Sequence, residues 1–130
     1  MRDIEFRGKR KDNGELVFGS LIIREEESPV PETTEIYKQY FILVGGFNAA
    51  EYEVIPETVG QYTGLLDKDG VKIFEGDIIQ DKADGGDSGQ VYWHKEHASF
   101  YWGHGWTLIH NVEMVVVGNI HDNPELLHAN

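Results

Sequence analysis

The chain has 130 residues, a size that suits one domain or two small lobes. Its 40% hydrophobic and 12% aromatic content can fill a core, which excludes wholesale disorder. A net charge of −12 disfavours phosphate backbones and anionic lipid as partners, and the absence of cysteine excludes disulfides, thiolate metal sites and a cysteine nucleophile.

The first residues, Met1 to Arg7, are charged and hold no apolar signal-peptide core, and no apolar run is long enough for a bilayer. The expectation is a soluble protein of the host-cell cytoplasm, which the lack of cysteine also fits. Arg7, Lys9, Arg10 and Lys11 form a short basic cluster, read as a solvated turn. Leu16–Phe18 and Leu21–Ile23 are short β-like runs around Gly19. From Arg24 to Glu35 three consecutive glutamates, two prolines and two threonines offer no face to bury, which predicts an exposed, mobile loop over 24–35. Tyr37–Val44 and Tyr52–Ile55 read as strands around a turn at Gly45–Asn48, and Pro56 ends the second.

Gln61–Leu66 and Val71–Phe74 flank Asp67-Lys68-Asp69-Gly70, a hairpin signal in which Asp67 starts the turn and Gly70 takes positive φ. Glu75–Asp77 is a second tight turn before Ile78 and Ile79, and 81–89 is an acidic, glycine-rich loop. Gln90–His94 and Ser99–Trp102 form a hairpin around 95–98, followed by strands at Trp106–Ile109 and Met114–Val117. Asp122 or Asn123 caps a helical turn that starts at Pro124 and docks Glu125–Leu127 on the core. No segment keeps helical periodicity over three turns and there is no internal repeat, so the fold class is mostly β (all-β or α+β), a small barrel-like or strongly bent sheet. The expected organisation is a β-rich lobe over 1–58 and a barrel-like lobe over 59–130, together one compact unit.

Charge and chemistry concentrate in the second part. Residues 51–130 carry fourteen acids against four Lys/Arg, which supplies −10 of the −12. All six histidines (94, 97, 104, 110, 121 and 128) also lie there. Weak metal candidates are His94, His97, His104 and His110, since imidazoles at such spacings can converge on Zn²⁺. The His94/His97 pair lies in a turn, no carboxylate sits at a diagnostic offset, and surface or structural histidines are the default. Asp67, Asp69, Gly70 and Glu75 miss the register of a calcium loop, and Asp81, Asp84 and Asp87 fit an ordinary acidic loop. The glycines form no phosphate-binding array and no serine sits in a nucleophile elbow, so no catalytic residue and no cofactor is assigned.

The aromatics Tyr92, Trp93, Phe100, Tyr101, Trp102 and Trp106 carry a further reading. Alternation puts Val91 and Trp93 on one face and Tyr92 on the other, with Phe100 and Trp102 opposite Tyr101. One face is core; the other steadies the sheet by cross-strand pairing or offers an interaction surface, for which Tyr92, Tyr101 and Trp106 are the candidates.

Three blocks together resemble the YopX family of small phage and prophage proteins: Phe6–Lys9 with Asn13–Leu21, Val54–Ile79, and Val117–Leu127. Leu16 stands where that family often has Trp, and 24–35 and 81–113 match only loosely. The resemblance implies a β-rich fold with a barrel-like C-terminal part and a phage or prophage setting; it brings no agreed activity, cofactor or catalytic residue. The leading expectation is a non-enzymatic accessory protein acting through contact with a host or phage protein, with self-association through β-edges also expected. Alternatives are an acidic DNA mimic that occupies a DNA-binding protein, and a histidine-based metal-dependent hydrolase. A regulator that binds nucleic acid directly has only the Arg7–Lys11 cluster in its favour.

Overall fold

A computed structural model of the chain describes residues 2–27, 36–83, 86–108 and 113–127. It is mostly β, as expected, with antiparallel strands that fall into two units: residues 4–59, and residues 60–127 together with 2–3. Among the described residues the sheets stay open, so a bent sheet rather than a closed barrel is the form the β expectation takes.

In residues 4–59 the strands β1 (Phe6–Lys9), β2 (Leu16–Glu27), β3 (Ile36–Val44) and β4 (Ala50–Val54) pair in the order β4-β3-β2-β1. Ile42 and Val54 are fully buried. A one-turn 3-10 helix, Pro56–Thr58, follows β4, where Pro56 ends the ladder as expected. The Thr58 hydroxyl accepts from the Lys9 N–H at 2.9 Å and donates to the Ile55 carbonyl at 2.6 Å, which ties this turn to β1.

Two expectations for this unit are corrected. The basic cluster is a solvated turn only at its end, where Lys11 is exposed: Phe6–Lys9 is a paired strand, and Arg7 is buried. The loop over 24–35 does not begin at Arg24, because Arg24–Glu27 continue β2 and pair with Ile36–Gln39. Edge-on backbone pairing overrides the poor β preference of glutamate when the side chains remain in water. Arg24 lies 4.5 Å over the Phe41 ring and pairs with Glu51 at 2.8 Å, and Lys38 stands 3.8 Å from Glu25. The rest of that expected loop, 28–35, lies outside the described residues.

In the second unit β5 (Gly60–Leu66) and β6 (Lys72–Phe74) form the expected hairpin. The strands β7 (Asp77–Asp81), β8 (Ser88–His94), β9 (Ser99–Trp102), β10 (Trp106–Thr107) and β11 (Met114–Asn119) make a sheet in the order β10-β9-β8-β7-β11. Ile73, Ile79, Val91, Leu108 and Met114 form its buried cluster, with Leu65, Phe100, Trp102 and Val116 packed against it. Each such side chain stabilises the fold by about 1.5–3 kcal/mol on burial. A bulge between Val116 and Gly118 shifts the β7–β11 register. Pro124–Leu127 is a single 3-10 turn that starts at the expected proline and lies against β8, with Leu126 half-buried and Leu127 exposed.

Candidate functional site

The β8–β9 hairpin carries the chemistry-bearing side chains of the second unit. Its register sets Val91 opposite Trp102, Tyr92 opposite Tyr101, Trp93 opposite Phe100 and His94 opposite Ser99. Alternation then gives the two faces expected from sequence. Val91 and Trp102 face the core, and Trp93 continues that same face outward until it is 47% exposed. Trp93 and Phe100 meet edge to face with ring centroids 5.0 Å apart, the favoured geometry for aromatic quadrupoles.

The other face holds Tyr92 and Tyr101, half-buried, with centroids 6.1 Å apart. The turn folds His97 back onto this face. His97 and His94 stack at 4.5 Å and 15°, the His97 N–H donates to His94 Nδ1 at 3.2 Å, and His97 Nδ1 hydrogen-bonds the Tyr101 hydroxyl. Parallel rings direct their nitrogens within separate planes, so this pair does not converge on an ion as it stands. Ala98, next in the turn, takes φ 48°, a left-handed conformation that a residue with a Cβ resists.

The structure does not bring the three interaction candidates together. Tyr92 and Tyr101 share one face, whereas Trp106 pairs with Trp102 across β9–β10, their rings tilted by 40° with centroids 4.8 Å apart. His104 is exposed and meets Trp106 in a T-shaped contact, with centroids 6.1 Å apart. His110 lies outside the described residues. Among the described residues no group of three or more His, Cys, Asp or Glu is arranged to hold a metal ion.

The acids of the glycine-rich stretch act on the backbone. Asp67 is buried; its Oδ1 accepts from the N–H groups of Asp69 (2.8 Å) and Val71 (2.9 Å), and its Oδ2 accepts from Val116 N–H at 2.9 Å. It therefore starts its turn as expected and also fastens the hairpin to β11, a link invisible in sequence. Asp77, 2% exposed, accepts from the Phe74 N–H at 2.7 Å and closes the Phe74–Asp77 turn. Asp81 accepts from Ala83 N–H at 2.9 Å within the acidic loop, and Asp84 lies outside the described residues. The basic cluster is likewise engaged. Arg10 pairs with Asp12 at 2.6 Å and lies 4.2 Å over Tyr52, and Lys11 pairs with Glu53 at 2.9 Å.

Sequence reading missed one arrangement. Gln61, Glu75, Trp93 and Phe100 line an open pocket of about 260 Å³. Gly60 sets the approach of β5 to Glu75: a Cβ there would stand 2.3 Å from the Glu75 carbonyl oxygen, so only glycine lets the two backbones run this close. The Glu75 N–H donates to the Gln61 carbonyl at 2.9 Å, and Glu75 Oε1 accepts from the Gln61 N–H at 3.3 Å. Glu75 and Trp93 are well separated in the chain and only strand pairing makes them neighbours, so no short-range signal in the sequence marks this pocket.

These features define a small, mostly β protein whose buried acids brace turns and whose β8–β9 hairpin carries paired aromatic side chains, one of them the exposed Trp93. The chain belongs to the YopX protein family, whose model matches residues 5–128. Among solved structures it is similar to protein EF1440 from Enterococcus faecalis, with 22% identity over 98% of this chain and 99% of that one and a TM-score of 0.56. That likeness extends to the fold. No curated protein matches the chain.

Proposed function

We propose that this chain is a phage or prophage accessory protein of the host cytoplasm that works by binding another protein, not by catalysis, with the β8–β9 hairpin as its contact surface. The observation that carries this reading is the exposed Trp93, backed by Phe100 and standing on a paired, well-packed hairpin. Tryptophan offers a large contact area at low entropic cost and is enriched where interfaces concentrate their energy. The net charge of −12 favours a basic partner surface. DNA mimicry has less support, because Asp67 and Asp77 are buried against backbone N–H groups and unavailable as phosphate substitutes. A metal-dependent hydrolase has less support because the stacked His94 and His97 would need to separate before binding an ion together.

Affinity capture from phage-infected cells tests the reading, with Trp93→Ala compared against the wild type and against Phe47→Ser, a substitution at a fully exposed residue of the first unit. A stoichiometric partner held by wild type and Phe47→Ser but lost with folded Trp93→Ala supports it. No partner, or one indifferent to Trp93, overturns it. Sedimentation of the purified chain in parallel identifies the case in which the partner is a second copy.

A further inference from the structure

We propose that the pocket formed by Gln61, Glu75, Trp93 and Phe100 is a receptor for an arginine side chain of the protein partner; this rests on the binding function proposed above and names what the hairpin recognises. Three observations converge. The volume, about 260 Å³, is ample for a side-chain head group and too small for a folded element. One wall is aromatic, formed by Phe100 and the half-exposed Trp93, and an indole attracts cations through its π-system. The other wall carries a half-buried carboxylate, Glu75, whose Oε1 is turned to the Gln61 N–H; among the described residues no cation pairs with it. Gln61 lines the same pocket, and its side-chain type supplies an amide oxygen as an acceptor.

An aromatic face beside a carboxylate is a cation site by its chemistry. The indole quadrupole and the carboxylate both favour positive charge, and partial burial reduces the screening that water would impose. Guanidinium fits better than ammonium for two reasons. Its planar fork can donate to a carboxylate and to an amide oxygen together, and its weakly hydrated faces stack on an aromatic ring. The location also suits a contact: the pocket opens beside the exposed end of the Trp93–Phe100 face rather than in the core. The wider field assists, since the fourteen acids of residues 51–130 raise the local concentration of a basic partner.

The test is an NMR titration of the full chain with blocked Gly-Arg-Gly, Gly-Lys-Gly and Gly-norleucine-Gly peptides, up to about 50 mM because a single side chain binds in the millimolar range. The readouts are the Trp93 indole N–H, identified by its loss in Trp93→Phe, and the Gln61 side-chain amide. Saturable shifts at both groups with the arginine peptide, at least several-fold tighter than with lysine, support the proposal. The norleucine peptide shifts neither group. Glu75→Gln, near isosteric, weakens arginine binding about tenfold while leaving the rest of the spectrum in place. Absence of saturable shifts, equal response to norleucine, or an unchanged affinity in Glu75→Gln overturns it. Capture of a Trp93-dependent partner alongside a silent titration removes the arginine pocket and leaves the binding function standing. Arginine binding without any captured partner does the reverse.

Discussion

Asp67 shows how one side chain can fasten two elements. Its carboxylate accepts three backbone N–H bonds, two inside its own turn and one from Val116. Asp67→Ala leaves these donors buried or poorly paired, and the expected loss is about 3 kcal/mol in urea unfolding. Asp67→Asn keeps one acceptor oxygen and turns an amide donor toward another N–H, so it should lose about 1–2 kcal/mol. A loss below measurement error in the alanine variant would show that water replaces the carboxylate. Gly76 has φ 92°, donates to the Val91 carbonyl at 2.8 Å and accepts from Ile120 N–H at 2.9 Å. Gly76→Val should destabilise by ~1–3 kcal/mol, since a β-branched residue resists that φ and the two bonds fix the backbone there. Ala98 gives the opposite sign. At φ 48° it bears a cost that glycine avoids, so Ala98→Gly should raise stability by about 0.5–1 kcal/mol. Unchanged or lower stability by thermal unfolding would contradict the left-handed assignment.

At the scale of elements, the β1–β2 connection carries a pH signature. The Arg10 guanidinium hydrogen-bonds Asp12 and holds its carboxyl below the ordinary 3.8, while Asp12 raises Arg10 in turn. A depressed carboxyl stabilises the folded state above its unfolded value, and that contribution disappears as pH falls from there through the folded value. Carboxyl-detected NMR should place the Asp12 midpoint below 3.8 in the wild type and return it toward 3.8 in Arg10→Ala. An unmoved midpoint would mean that the pair is open in solution. The same element scale explains why β2 outruns its sequence signal. Glu25, Glu26 and Glu27 look like loop residues by composition, yet each pairs with a residue of β3, and their charges stay outside. Composition reports what a side chain prefers; the ladder depends on whether a partner strand is alongside.

At the scale of the whole molecule, the charge of −12 predicts that partner capture weakens as salt rises from about 50 to 500 mM, a range over which the Debye length falls severalfold. Salt-indifferent capture would assign the affinity to apolar contact at Trp93 alone. The β class, both turns of the 54–79 stretch, the strand pairing of 90–94 with 99–102 and the terminal turn at Pro124 are all local, and the sequence displays them through turn chemistry and alternation of period two. The link from Asp67 to Val116 and the meeting of Glu75 with Trp93 are not local, and no short-range pattern encodes them. By itself the sequence determined a small acidic β protein of the YopX family, because turns, alternation and charge are read residue by residue. Only the tertiary structure decided that Trp106 stands apart from Tyr92 and Tyr101, that His97 meets Tyr101, and that Glu75 and an exposed indole line one pocket, because strand register and order set those distances.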